Sequence, residues 1–349
     1  MDEITVFSLN SGNGDGADII FDINDQRVAV SIFPGPSSEH NIQVERNQQF
    51  LEDRLIELLG RAVLTEDDDE YERITDEVLG IILDAGKTIF SEVAPRKKSD
   101  PKSFKQDLQS YLYPPTLAFR IESAGSRVTM VPIGPEESYT NIEIPTNYRI
   151  DDSIDIDNDL PQYPPKDITI VESFAQGLGH SVSRVLVNGQ EMLCKARAQG
   201  LHDPYLEREL SHLLEIRRGL PSYRTSIRVP QLLGYVKHTE SGHVIGLLRE
   251  WVPGGCLADL DLSVVSVKAR EKWASQIRET VDQLHEIGLN WGDVKASNVI
   301  IDELDDAWLI EFGGGFTDGW VEKDLADTPD GDRQGIKKII EFLGVEERI

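Results

Sequence analysis

The side chains best suited to chemistry cluster in the second half of the chain, in the run Asn290-Trp-Gly-Asp-Val-Lys-Ala-Ser-Asn298. The apolar run 299–301 follows it, and a short acidic turn then leads through 307–310 into a glutamate. A hairpin formed by these two apolar runs would bring four polar side chains to one end of a small sheet. These are Asp293, Lys295, Asn298 and Glu311.

Two carboxylates, an amide and an ammonium are the groups that magnesium-assisted phosphoryl transfer requires. In such a site we expect Asp293 to orient the attacking hydroxyl and accept its proton, and Lys295 to offset charge on the transferred group. Asn298 and Glu311 would hold Mg²⁺ on the nucleotide phosphates. The sequence therefore predicts ATP and Mg²⁺ as ligands of this region.

A second charged pair is predicted upstream. Lys195 lies among apolar neighbours near the end of a strand predicted over 190–196, and a lysine buried there is costly unless it is paired. The next segment, 204–218, has a helical period in which Glu209 borders the apolar stripe and can face the sheet. A Lys195–Glu209 ion pair would hold the ammonium against phosphate oxygens. Two unrelated surface charges are the equally weighted alternative.

The strand that contains Lys195 is preceded by a glycine-containing loop. Strands are predicted over 168–174 and 182–187, and the tight turn Asn188-Gly189 links the second of them to 190–196. Gly177 and Gly179, in the loop between the first two strands, would let backbone amides approach a phosphate closely. Taken alone, a plain loop explains these glycines at least as well.

Hydrophobic patterns predict the other strands and helices of the chain. Strands are predicted over 231–237 and 243–251, and a long helix over 267–287. In the first half, we predict strands over 4–9, 19–23 and 28–33, two helices, and a hairpin over 117–133. Thr65 is a plausible N-cap of the second helix, and Gly86 a plausible residue just beyond its C-terminus.

The chain has 349 residues and a formal net charge of −27. Residues 1–165 contain 32 acidic and 14 basic residues, against 30 and 21 in the remainder. This acidity argues against nucleic acid or an anionic membrane surface as a partner. Two cysteines, and no basic-then-apolar leader at the N-terminus, favour an intracellular location, cytoplasmic and possibly also nuclear.

Composition also predicts the domain organisation. Residues 1–150 form an acidic domain of mixed α and β structure whose role the sequence does not reveal. Residues 151–167 contain repeated Asp and Pro, which disfavour helix and sheet, so we interpret them as a linker. Residues 168–349 form the second domain, which contains every candidate site residue.

These ordered motifs resemble the protein-kinase-like superfamily over 168–342, about half of the chain. Asp293-Val-Lys-Ala-Ser-Asn298 resembles the catalytic loop, and Glu311-Phe-Gly stands where that superfamily has Asp-Phe-Gly. Trp291-Gly-Asp and the glycines after Phe312 are most similar to short fungal kinase-like proteins. The resemblance implies an α+β, two-lobed fold: a five-stranded antiparallel N-lobe and a truncated, mainly helical C-lobe, after the mixed α/β N-terminal domain.

The resemblance also implies roles for further residues. Residues 176–185, ending at Val185, would form the Gly-rich loop over the nucleotide. Glu250 and Val252 would belong to the hinge that binds ATP, Lys195 and Glu209 would be the strand lysine and its helix partner, and Asp332 would support the catalytic loop. Trp291 is expected to pack under that loop as an aromatic anchor.

Several departures from the superfamily bear on function. Val182 stands nearest to the missing third glycine, and Trp291-Gly292 replaces His-Arg, so activation through a phosphorylated activation loop is not expected. No Ala-Pro-Glu motif follows, and the peptide-docking part of the large lobe is missing or replaced. Glu311 is one methylene longer than Asp, which shifts the carboxylate by about 1 Å, and an error of about 1 Å can cost roughly 100-fold in rate.

The sequence therefore supports two alternative functions. The first is an ATP- and Mg²⁺-dependent kinase that transfers the γ-phosphate to a hydroxyl of an unidentified protein or small molecule. The alternative is a nucleotide-binding pseudokinase that acts as a scaffold or regulatory module through its N-terminal domain. We expect neither nucleic acid nor membrane to be a partner in either case.

Overall fold

The computed structural model of the chain describes residues 4–12, 14–24, 26–35, 50–65, 67–95, 106–124, 127–140, 156–177, 180–198, 204–219 and 227–346. The chain divides into two units, one within Met1–Asn147 and Ser173–Ser181, the other within Tyr148–Glu172 and Val182–Ile349. Among the described residues, no helix is both long enough and apolar enough to cross a membrane.

The first unit contains a five-stranded sheet in the order β1-β2-β3-β4-β5. Only β3 and β4 pair in parallel, and such a pair needs a long crossover connection. The helices α1 and α2 lie in that connection. The elements are β1 Ile4–Ser11, β2 Ala17–Ile23, β3 Gln26–Ile32, α1 Leu51–Leu64, α2 Asp68–Val93, α3 Leu108–Leu112, β4 Thr116–Ala124 and β5 Arg127–Pro132.

The predicted strands and the hairpin of the first half are confirmed, but both predicted ends of its second helix are wrong. Asp67, not Thr65, caps α2, because its carboxylate accepts a hydrogen bond from the Glu70 amide. The helix continues past Gly86 to Val93. Gly86 is buried in the helix. A Cβ at this position would lie 2.2 Å from the ring of Phe90, so only glycine fits beside that ring. The glycine thus makes room for an aromatic ring and does not end the helix.

This packing predicts opposite effects for two glycines of α2. We expect Gly86→Ala to lower the free energy of unfolding by about 1–3 kcal/mol, because the added methyl overpacks the core. At Gly80 an added Cβ would meet no atom within 4 Å, so the structure leaves room for a side chain. Gly80→Ala should therefore raise stability by about 0.5–1 kcal/mol through helix propensity. Urea unfolding followed by circular dichroism measures both, and equal effects would contradict the packing role.

The second unit contains most residues of a six-stranded sheet in the order β6-β10-β11-β9-β8-β7. The Asn-Gly turn is confirmed, since Asn188 and Gly189 both have positive φ, 50° and 83°. The strands are β6 Gln162–Tyr163, β7 Ile168–Gly177, β8 His180–Val187, β9 Gln190–Arg197, β10 Leu232–Lys237 and β11 Val244–Glu250.

The sheet has one strand more than expected, because part of the segment interpreted as a linker joins it. Residues 151–155 lie outside the described residues, but β6 pairs in parallel with β10. Leu160, just before β6, is only 6% exposed. The acidity of this segment does not prevent its docking, because Arg217 Nε binds Asp157 Oδ2 at 2.9 Å. Burial of apolar side chains and a paired carboxylate thus outweigh the unfavourable local composition.

The described residues of this unit also form three α-helices and a three-stranded sheet. They are α4 Pro204–Gly219, β12 Gly254–Cys256, α5 Val267–Glu286, β13 Val299–Asp302, β14 Ala307–Leu309 and α6 Pro329–Leu343. The sequence did not predict β12, because glycine is a poor strand former. Gly254 suits the strand because a Cβ there would lie 2.2 Å from the carbonyl oxygen of Ile301. The small sheet therefore depends on a close approach that only glycine permits.

Candidate active site

The predicted ion pair between β9 and α4 is formed. Lys195 Nζ lies 2.5 Å from Glu209 Oε2, and the two residues are 7% and 2% exposed. Lys195 reaches the pair from a strand in the middle of the sheet, opposite Leu247 of β11. Glu209 faces it because the leucines around it on α4 point into the core, which fixes the rotation of the helix. A buried ammonium is therefore held by a buried carboxylate.

Glu311 shares the same ammonium. Both of its carboxylate oxygens lie 2.8 Å from Lys195 Nζ. Glu311 follows the end of β14 by two residues and has a φ of +63°, a conformation that costs energy for a residue with a side chain. Its side chain is 40% exposed, whereas that of Glu209 is 3% exposed. One carboxylate of the Lys195 cluster is thus structural and buried, and the other is only partly exposed.

These contacts keep Lys195 and Glu311 charged. Burial lowers the pKa of Lys195, but the charges of Glu209 and Glu311 outweigh it, and the pKa lies above its usual value. Burial raises the pKa of Glu311, but the Lys195 charge and hydrogen bonds outweigh it, and the pKa lies below its usual value. An ammonium of this kind is suited to binding anionic oxygens.

Arg249 is a fourth member of this cluster that the sequence analysis missed. It lies two residues after Leu247 on β11, so its side chain is on the same face of the sheet as that of Lys195. Arg249 Nε is 3.7 Å from Glu209 Oε1, and both atoms are buried without a hydrogen-bond partner. The two cations and two carboxylates balance in charge. An arginine inside an apolar strand was the signal that could have identified it.

The predicted catalytic loop forms a second cluster around Asp293. Lys295 Nζ lies 2.5 Å from Asp293 Oδ2, and Asn298 Nδ2 donates to the backbone carbonyl of Asp293 at 2.8 Å. The Thr317 hydroxyl donates to Asp293 Oδ1 at 2.8 Å and accepts from Lys295 at 2.9 Å. Thr317 was not among the residues predicted for this site. Asp293 therefore already binds one alcohol group beside an ammonium.

A buried carboxylate anchors the loop that precedes Asp293. Asp332 of α6, which is 0% exposed, accepts hydrogen bonds from the amides of Trp291 and Gly292 at 2.8 and 2.9 Å. His285 Nε2 contacts the same carboxylate at 2.7 Å. The Trp291 ring is fully buried, and its Nε1 donates to the Ile310 carbonyl at 2.9 Å. These bonds fix the backbone on which Asp293 stands.

The structure links the two clusters through a hairpin. The Ile310 amide donates to the Asn298 carbonyl at 3.0 Å, so Asn298 lies beside the residue that precedes Glu311. This arrangement follows from the β13–β14 pairing predicted from the sequence. Asn298 and Glu311 are thus brought to the same end of the small sheet, where the sequence predicts a metal site.

Of the remaining predicted nucleotide-binding residues, two lie on the strands next to that of Lys195. Gly177 ends β7, while Gly179 lies outside the described residues. Val185 is on β8 and fully buried. Glu250 ends β11, and Val252, two residues later, is 7% exposed. Because β8 and β11 are the neighbours of β9 in the sheet, Val185 and Glu250 lie on the strands at either side of the strand of Lys195.

The residues present are compatible with Mg²⁺ bound through a nucleotide. No group of three or more His, Cys, Asp or Glu side chains that could hold a metal occurs in the described part of the chain. Mg²⁺ commonly uses only one or two protein ligands together with phosphate oxygens and waters. The partly exposed carboxylate of Glu311 and the amide oxygen of Asn298 supply hard oxygen ligands of this kind.

Comparisons with known proteins find similarity among solved structures only. No protein-family model matches the sequence. The search of curated proteins found no match either. Among solved structures, the chain is similar to vaccinia related kinase 3, with a TM-score of 0.39 and 14% sequence identity. The similarity covers 50% of this chain and 64% of that kinase chain, which is less than two thirds of its length.

Proposed function

We propose that the chain is an ATP- and Mg²⁺-dependent phosphotransferase that transfers the γ-phosphate to a hydroxyl group. The observation that carries this proposal is the Lys195 cluster: a charged lysine anchored by buried Glu209 and met by Glu311, whose side chain is partly exposed. The Asp293 cluster supports it, because a carboxylate, an ammonium and an amide lie together there. The β13–β14 hairpin connects this cluster to Glu311. The residue pattern is the one expected for a kinase-like site.

In this proposal, each side chain has one task. Lys195 binds phosphate oxygens of ATP, and Glu209 keeps its ammonium oriented. Asp293 orients the acceptor hydroxyl and accepts its proton, and its existing hydrogen bond from the Thr317 hydroxyl supports its ability to bind an alcohol. Lys295 offsets the negative charge of the transferred group. Gly177, Gly179, Val185, Glu250 and Val252 would surround the nucleotide.

Asn298 and Glu311 would hold Mg²⁺ in this site. The ion would supply charge neutralisation on the phosphate oxygens. Both carboxylate oxygens of Glu311 now contact the Lys195 ammonium, and each retains a lone pair with which it could bind the ion. The acceptor is a protein or a small molecule. The acidity of the chain supports neither a nucleic acid nor a membrane partner, and two free cysteines fit a reducing cytoplasmic or nuclear setting.

A pseudokinase is the second candidate, and the Glu311–Lys195 contact favours it. A carboxylate that contacts the phosphate-binding ammonium through both of its oxygens competes with ATP, and the longer side chain of Glu makes that reach possible. In this case nucleotide binding would serve a scaffold function of the N-terminal domain. ATP turnover distinguishes the two candidates, because a pseudokinase would bind nucleotide without consuming it.

Thermal unfolding with and without Mg·ATP tests nucleotide binding. At ATP concentrations near a hundred times Kd, we expect the wild-type Tm to rise by about 5 °C or more. Lys195→Met should remove most of this rise, because it deletes the ammonium that binds phosphate. Lys268→Met, an exposed lysine on α5, is the matched control and should keep the full rise.

The outcomes separate the alternatives clearly. If Mg·ATP leaves the Tm of the wild type unchanged, both the kinase and the pseudokinase proposals are wrong. If the Tm rises equally in the wild type and Lys195→Met, nucleotide binds elsewhere in the chain. A rise that depends on Lys195, combined with consumption of ATP, supports the phosphotransferase.

A further inference from the structure

The three glycines that follow Glu311-Phe312 have no role in the proposed phosphate transfer. At Gly314, which has a φ of +80°, a Cβ would lie 2.1 Å from Arg208 Nη1. At Gly313, a Cβ would lie 2.8 Å from the carbonyl oxygen of Tyr205. Tyr205 and Arg208 belong to the first turns of α4. The glycines therefore allow the segment after Glu311 to lie directly against the helix that contributes Glu209.

A carboxylate joins that segment to α4. Asp327 Oδ2 lies 2.5 Å from Arg208 Nη1, and Asp327 Oδ1 accepts a hydrogen bond from the Gly315 amide at 3.0 Å. Asp327 has a φ of +59°, so its backbone is held in a conformation that is uncommon for residues with side chains. The two oxygens of this carboxylate thus bind α4 and the segment after Glu311, respectively.

The same residue also contacts the loop before Asp293. Asn290 Nδ2 donates to the backbone carbonyl of Asp327 at 2.8 Å. At Gly292, whose φ is +92°, a Cβ would lie 2.9 Å from both Asp327 Oδ1 and the Cα of Gly314. Asp327 therefore lies where α4, the segment after Glu311 and the catalytic loop meet. The glycines at 292 and 314 provide the space for it.

We propose that Arg208 and Asp327 are a positioning pair for this site, which rests on and deepens the proposed function. Arg208 and Glu209 are adjacent on α4, so one turn of helix binds Lys195 through Glu209 and Asp327 through Arg208. The pair links the position of Glu209 to the positions of Glu311 and Asp293. When it is intact, the phosphate-binding and proton-accepting groups are held in one arrangement.

The exposure of the pair indicates what it contributes. The side chains of Arg208 and Asp327 are 28% and 35% exposed, and partly exposed ion pairs add little to stability. Their contribution should therefore appear in geometry, to which catalytic rates are far more sensitive than stability is. This distinguishes the pair from Asp332, whose buried carboxylate holds the loop directly.

Four variants and one control test the proposal. The variants are Arg208→Ala, Arg208→Lys, Asp327→Asn and the double variant Arg208→Ala/Asp327→Asn. Asp327→Asn removes the charge and leaves a residue that tolerates positive φ. The control is Arg333→Ala, which removes an arginine from an exposed ion pair on α6. Hydrogen exchange of the full chain is measured in the peptides that cover 312–317 and α4, together with ATP turnover and ATP affinity.

We expect Arg208→Ala to speed exchange in both peptides by about tenfold, which corresponds to a loss of about 1.4 kcal/mol in the free energy of local opening. Turnover should fall by about 10- to 100-fold while the ATP Kd changes by less than about threefold, because the loss is in geometry and not in binding groups. Arg208→Lys should recover much of the turnover. The double variant should lose no more turnover, and exchange no faster, than the single variants.

Two results would contradict the proposed positioning role of Arg208 and Asp327. One is unchanged exchange in 312–317 for Arg208→Ala, as expected for Arg333→Ala. The other is additive losses in the double variant, which would show that the two side chains act independently. If the wild type has no turnover, the phosphotransferase proposal fails, and the exchange data alone still decide whether the pair couples α4 to the segment after Glu311.

Discussion

Replacing Asp293 with asparagine should lower the rate of phosphate transfer from ATP by about 10²- to 10⁴-fold, the range expected for the loss of a general base. Asparagine has nearly the same shape, so the Asn298 contact to the backbone carbonyl at this position can persist. The amide cannot accept a proton, and it leaves Lys295 without its carboxylate partner. The expected loss is therefore in turnover and not in nucleotide binding.

Steady-state ADP formation measures this prediction, with the ATP-induced rise in Tm as the measure of binding. The matched control is Asp282→Asn, which makes the same chemical change at an exposed position on α5 and should leave both quantities unchanged. If Asp293→Asn retained wild-type turnover, Asp293 would not be the proton acceptor. If it also lost the ATP-induced rise, its role would be in nucleotide binding.

The second large effect is expected at Asp332. Asp332→Ala would leave the buried amides of Trp291 and Gly292 without their acceptor and would remove the contact to His285. Each unsatisfied buried donor costs about 1–3 kcal/mol, so we expect the free energy of unfolding to fall by about 2–5 kcal/mol. Turnover should fall as well, because the backbone on which Asp293 stands is released.

Urea unfolding of the full chain, followed by tryptophan fluorescence, tests the stability loss. The matched control is Asp330→Ala, two residues earlier on α6, where the carboxylate side chain is 73% exposed and pairs only with Arg333 among its described ion pairs. Its loss should cost less than about 1 kcal/mol. Equal stability of the two variants would mean that Asp332 is not what holds the loop.

Much of this arrangement follows from local patterns in the sequence. The Asn188-Gly189 turn, the leucine stripe of α4 and the hairpin after Asn298 are each encoded by neighbouring residues, and each was predicted. The Lys195–Glu209 pair could also be predicted, because burial requires a lysine in a strand to find a partner. The functional roles assigned to these residues remain predictions.

The parts that the sequence did not reveal depend on distant contacts. Gly86 had the pattern of a helix end, but the ring of Phe90 explains it, and β6 forms because β10 offers an edge to pair with. Asp327 has no local signal that separates it from a surface charge, and the apolar strand around Arg249 does not show which partners its side chain meets. Their positions became visible only when the elements that surround them were assembled.

The initial rate of ADP formation from Mg·ATP by the purified full chain, compared with Asp293→Asn prepared in the same way, tests the central claim most directly. The proposed function predicts that the wild-type rate exceeds the variant rate by about 100-fold or more. Equal background rates for the two proteins, with ATP still raising the Tm of both, would contradict it. That result would leave the pseudokinase as the function that the Lys195 cluster supports.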